Sequence, residues 1–155
     1  MSLQWHMTDQ PFNVTLHGVS KQVPPGDDYG TTIKELLDKL WAEVRGQALP
    51  NRGLTHMVYE EDGTVFVGVE LELPASRGEG AVDGVPNLAK RAWTLNEYAY
   101  CVHRGHYGGL GRTYDELHAA VSAAGRQCKK PLVEAYGHWK EDESQMETGI
   151  YFSLA

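Results

Sequence analysis

What the sequence lacks narrows its role first. Only two cysteines occur in 155 residues, Cys101 and Cys128, with no Cys-x-x-Cys spacing. A disulfide framework is therefore not expected, and the weak pointer is to a reducing compartment. Positive charge is also scarce, with 14 Lys and Arg against 21 Asp and Glu and a formal net charge of −7. Affinity for nucleic acid comes chiefly from clustered Lys and Arg, and the nearest cluster, Arg126 with Lys129 and Lys130, is too small for it. Direct DNA binding is not expected. No apolar run is long enough for a membrane span or the core of a signal peptide, so no membrane partner is expected and the expected location is the cytoplasm.

The length fits one domain, or two small halves sharing one core. Phe12 to Val19 alternates loosely and reads as a strand, and Pro24-Pro25-Gly26-Asp27-Asp28 as a loop. From Thr31-Thr32, Ile33, Leu36, Leu37, Leu40, Trp41 and Val44 recur at spacings of three and four, the stripe of a helix ending near Gly46. Leu54 to Glu60, the turn Glu61-Asp62-Gly63, and the strict alternation of Val65, Val67, Val69, Leu71 and Leu73 make a hairpin. A Gly-rich connection over 74–86 follows.

The order then repeats. Glu97 to Gly105 is strand-like, and Gly108-Gly109 breaks it. Leu110, Tyr114, Leu117, Val121 and Ala124 stripe a second helix; Leu132 to Trp139 and Thr148 to Leu154 form a second hairpin across an acidic loop, Glu141-Asp142-Glu143. Strand, helix, hairpin thus occurs twice, over about 12–73 and 97–155. The expected fold class is α+β: duplicated units about a pseudo-twofold axis, an antiparallel sheet with two helices on one face, and a ligand groove between the repeats.

Within the second hairpin, Lys130-Pro131-Leu132-Val133-Glu134-Ala135-Tyr136 sets one carboxylate among apolar neighbours. Period 2 puts Leu132, Glu134 and Tyr136 on one face and the small residues Val133, Ala135 and Gly137 on the other, where a helix could lie close. On that pattern Glu134 faces a cavity or water. It needs an Arg or Lys, water, or a ligand cation as partner.

These pieces in this order resemble the GyrI-like small-molecule-binding domain, also found as the effector-binding domain of AraC-type and related bacterial multidrug-sensing regulators. The resemblance runs through Val102-His103-Arg104-Gly105-His106-Tyr107, the helix Leu110 to Ala123, Pro131-Leu132-Val133-Glu134-Ala135-Tyr136, and Thr148-Gly149-Ile150-Tyr151-Phe152. It implies that Glu134 lies in the groove between two repeats and meets cationic or polar ligands. Regulators of this kind carry a DNA-binding helix-turn-helix as well, which the sequence lacks, so a stand-alone single domain over 1–155 is expected. At the matching strand of the first half, the residue opposite Glu134 is His56 or Met57, depending on a one-residue register; the groove then holds one acid. A further branch of the family resembles hydrolases that open cyclopropane rings in genotoxic natural products.

Aromatic rings around a carboxylate suit planar cationic guests. Tyr59, Trp93, Tyr98, Tyr136 and Tyr151 come from strands near the groove and, with Glu134, His56 and Met57, are the candidate ligand-binding residues; Trp41 and Tyr114, on helix stripes, are assigned to packing. A zinc reading of His103-Arg104-Gly105-His106 fails for want of a third ligand, and no metal or cofactor is expected. His17, His118 and His138 read as surface or partly buried histidines. The leading expectation is a binding module for planar, lipophilic or cationic small molecules with Glu134 as counter-anion. The first alternative is a hydrolase in which Glu134 acts as general base, with Tyr136 or Tyr59 orienting the water. The second is an interaction protein resembling gyrase inhibitors, with a protein partner.

Overall fold

A computed structural model describes residues 4–24, 26, 29–71, 85, 87–137 and 142–155. Eight strands form one antiparallel sheet: β1 (Trp5–Thr8), β2 (Phe12–Gln22), β3 (Asn51–Tyr59), β4 (Thr64–Leu71), β5 (Ala89–Leu95), β6 (Tyr98–Arg104), β7 (Cys128–Tyr136) and β8 (Glu147–Leu154). Among the described residues two α-helices, α1 (Tyr29–Gly46) and α2 (Leu110–Ala123), complete the α+β fold. The spatial order is β1-β6-β8-β7-β3-β4-β2-β5. Its centre, β6-β8-β7 against β3-β4-β2, reads the same from either end once β2 is matched to β6, β4 to β8 and β3 to β7. That is the arrangement a twofold between β3 and β7 produces.

Local chemistry sets the turns. In the β3–β4 hairpin, Asp62 accepts a hydrogen bond from the Thr64 amide at 2.9 Å, and Gly63 takes φ +88° to close the turn. After α2, the Gly125 and Arg126 amides donate to the Ser122 and Val121 carbonyls, so the last turn is satisfied where the chain reverses.

Both helices pack on one face. Leu36, Leu40 and Val44 of α1 meet Met57, Val65, Val67 and Val69, while Leu117 and Val121 of α2 meet Ala99, Cys101, Leu132, Ile150 and Phe152. A third cluster contains no helix residue: Val14, Leu16, Val58, Phe66, Trp93, Leu95 and Val133, with Phe12, Tyr98 and Tyr151 against it. It is buried because the sheet curls. Phe12 of β2 and Tyr151 of β8 have three strands between them, a separation of about 19 Å in a flat sheet, yet their rings stack at 4.2 Å. Gly18 favours the bend, for a Cβ there would stand 2.0 Å from the Val67 carbonyl oxygen.

Several expectations change. The pattern put the helix over Val133, Ala135 and Gly137, but the helices cover the Leu132, Glu134 and Tyr136 face. Two strands, β1 and β5, escaped the repeat pattern. Each precedes one unit and pairs with the other, β1 with β6 and β5 with β2. Cys128 opens β7. His17 is buried at 5% exposure, facing Val69 from β2. The connection 74–86 lies outside the described residues except for Val85, as do His138, Trp139 and part of the acidic loop.

Candidate functional site

Glu134 sits on β7, the strand that meets the first unit through β3, and is only 3% exposed. Its register neighbours are Met57 on one side and Ile150 on the other. The carboxylate is therefore held under the two helices, where the repeats join. Three phenols supply its hydrogen bonds. Tyr59 donates to Oε1 at 2.9 Å and Tyr136 to the same oxygen at 2.8 Å, while Tyr114, reaching down from α2, donates to Oε2. Tyr59 Oη also lies 3.8 Å from Met57 Sδ.

Each donor comes from a different element for a local reason. Tyr136 is two residues along β7 and shares the face of Glu134 by strand period. Tyr59 is two residues from Met57 on β3 and so is brought to the same face. Tyr114 follows Thr113 on α2, beside the stripe of Leu117 and Val121, with its ring set edge-on to Phe152 at 6.1 Å. Burial pushes the Tyr59 and Tyr114 hydroxyls well above the ordinary phenol range, and the Glu134 carboxylate pushes them further. They remain donors. Among the described residues no ion pair to Glu134 is present, so the acid is surrounded by neutral dipoles and ring faces. Such an arrangement can hold a cation once a phenol moves aside.

The structure thus gathers Glu134, Tyr59, Tyr136 and Met57 from the sequence candidates and adds Tyr114, which the helix stripe had assigned to packing. The remaining candidates point elsewhere. Tyr98 and Tyr151 lie on the helix-free face with Phe12. Trp93 is there too, its indole N–H donating to Glu60 at 3.0 Å with Arg91 on the same carboxylate oxygen. His56 pairs with Ala135, not Glu134, and its Nε2 is 3.6 Å from Glu70. His103 is a satisfied core histidine, its Nδ1 bonded to Thr113 Oγ1 at 2.7 Å and its Nε2 to the His106 carbonyl at 2.9 Å. No group of three or more metal-ligating side chains occurs among the described residues. No described helix is long and apolar enough to cross a membrane.

Known structures share this fold. The C-terminal domain of EcmrR is 20% identical, with a TM-score of 0.67, over 100% of this chain and 99% of that one. SAV2435 bound to tetraphenylphosphonium is 16% identical, with a TM-score of 0.59, over 100% and 94%. A hydrolase from Listeria innocua is 12% identical, with a TM-score of 0.58, over 99% and 93%. No family model matches the sequence, and no curated protein does either. The likeness is one of fold, and it agrees with the GyrI-like architecture that the motifs imply.

Proposed function

We propose that the protein is a small-molecule-binding domain of the GyrI-like kind, which captures lipophilic monocations beneath its two helices with Glu134 as the counter-charge. One observation carries the reading: a carboxylate 3% exposed, bonded to three tyrosine hydroxyls and to no described cation. Keeping an unpaired acid in such surroundings costs stability that an apolar residue would not, which is reasonable only where the charge is used. The likeness to SAV2435, solved with a phosphonium cation, points the same way.

The test is calorimetric titration with tetraphenylphosphonium. Glu134→Gln keeps the shape and removes the charge, so affinity falls by about 1–3 kcal/mol, the size of a charge-assisted contact. A neutral aromatic of similar size binds both proteins alike. Equal phosphonium binding by wild type and Glu134→Gln, or none by wild type, defeats the reading.

The hydrolase reading has its own support, the fold shared with the Listeria hydrolase and a phenol, Tyr136, donating to the same carboxylate. Under it Glu134→Gln abolishes conversion of a cyclopropane-bearing compound while leaving its binding nearly intact, because a general base acts in the transition state. A product assay beside the titration separates the two.

A further inference from the structure

Both oxygens of Glu134 are occupied by phenols, so a guest reaches the carboxylate only when one ring gives way. The three rings differ in what lies behind them. Tyr114 is fixed to α2 and set against Phe152 in the cluster of Leu117 and Ile150. Tyr136 is fixed to the sheet and packs against the α1 cluster. Tyr59 packs against both helix clusters and also has Tyr29 as a ring neighbour, at 5.8 Å between centroids and 60° between planes. Tyr29 is the first residue of α1, where a helix frays most readily. Tyr29 also lines a surface cleft of about 480 Å³, a size suited to a small molecule.

The cleft is bounded by Gln22, Val23 and Pro24 at the end of β2, by Glu61 and Asp62 in the β3–β4 turn, and by Lys130 of β7. Two carboxylates against one ammonium give it an excess of negative charge, which concentrates cations. A larger cleft of about 960 Å³, at Trp5, His103 and Thr113, carries Arg104 and Arg112 against Glu116 and is the poorer approach for a cation.

We propose that the cleft beside Tyr29 is an outer binding site for lipophilic monocations, and that Tyr29 and Tyr59 swing together to pass the guest inward to Glu134. The proposal rests on the ligand-binding reading above and adds the route. Cations collect at Glu61 and Asp62, and the ring pair sets the rate of passage. A doorway speeds or slows arrival and departure together, whereas a wall of the final site changes how tightly the guest is held.

Stopped-flow mixing with tetraphenylphosphonium distinguishes these. Tyr29→Ala raises the association and dissociation rates together, each about fivefold or more, with Kd held within about twofold. Tyr29→Trp lowers both. Lys130→Glu raises the association rate at low salt, and the gain disappears at high salt. Unchanged rates in Tyr29→Ala, or a changed Kd at constant association rate, overturn the proposal. A second measurement needs no guest: relaxation dispersion of ring-labelled tyrosines in the free protein gives Tyr29 and Tyr59 one common exchange rate, with Tyr114 and Tyr136 quiet. Rigid Tyr29 and Tyr59 rings also overturn it. Failure of the wild type to bind the phosphonium counts against the ligand-binding reading, and the ring measurement then still decides whether the doorway exists.

Discussion

Met57 and Glu134 stand directly opposite one another across β3 and β7, the two strands through which the halves of the sheet join. The pseudo-symmetric position of Glu134, the single buried acid among the described residues, is thus a thioether. Met57→Glu tests the need for that asymmetry. Opposed side chains on paired strands have Cβ atoms about 4.5–5.5 Å apart, and two carboxylates at that range do not both ionise readily. The introduced carboxyl therefore has a raised folded pKa. Stability is kept below the unfolded value of about 4.3 and lost as pH rises through the folded one. Urea unfolding across that window is expected to show the variant losing ground to wild type as pH increases. A constant difference between the two would mean that the second acid has turned away from Glu134.

Tyr114→Phe removes the hydroxyl that reaches Glu134 from α2. Loss of one donor to a buried charged acceptor costs about 1–3 kcal/mol of folding stability, read by urea unfolding. Phosphonium binding should strengthen in the same variant, because the Glu134 oxygen that Tyr114 bonds then has no phenol partly satisfying its charge in competition with the guest. Weaker binding would make the Tyr114 hydroxyl part of the guest's own coordination.

Much of this architecture was legible because strict alternation at Val65, Val67 and Val69 and the repeated helix stripes leave few other readings. The face of Glu134 was not legible. β7 is central, and its two faces, Leu132 with Tyr136 and Val133 with Ala135, are both apolar enough to be covered. Tyr114 was hidden by its stripe, where a ring reads as core; the signal was its hydroxyl, which must find a partner when buried. β5 escaped because most of Ala89–Leu95 is exposed, and only Trp93 and Leu95 are buried. Trp93, Tyr98 and Tyr151 were drawn to the groove by composition, whereas the curl of the sheet, a property of eight strands together, gave the helix-free face an aromatic cluster of its own.

Two buried histidines predict an acid limb. His56 is held below its ordinary pKa chiefly by burial, against an opposing pull from Glu70, and His17 by burial and by Lys90. Both stay neutral in the fold while the unfolded chain takes up protons below about 6.5. Their contribution is complete above that pH and is lost as pH falls through the folded values. Proton NMR titration should find both imidazoles titrating below the ordinary histidine value of about 6.5. His56→Gln should flatten the decline of stability on the acid side, and an undiminished slope would take His56 out of the account.

An alkaline limb follows from the phenols. Burial is the leading cause that raises Tyr59, Tyr114 and Tyr151, with Glu134 adding to the first two; Tyr151 is pushed up to about 12, and Tyr59 and Tyr114 lie higher still. In the unfolded chain all three ionise near 10. Above that pH the folded state binds more protons than the unfolded one, so stability is whole below about pH 10 and falls as pH rises further. Phenolate absorbance on titration with base should accordingly rise in two stages: first the more accessible tyrosines, then the buried ones in a cooperative step that coincides with loss of structure by circular dichroism. Tyr59→Phe and Tyr114→Phe should each shallow the fall. Glu134→Gln removes the carboxylate that opposes ionisation of Tyr59 and Tyr114, leaving burial and the neighbouring phenols, so both should titrate nearer the ordinary range in that variant. If Glu134→Gln left the second stage where it stands in the wild type, the carboxylate would not be setting the protonation of Tyr59 and Tyr114, and its part in the site would have to be rethought.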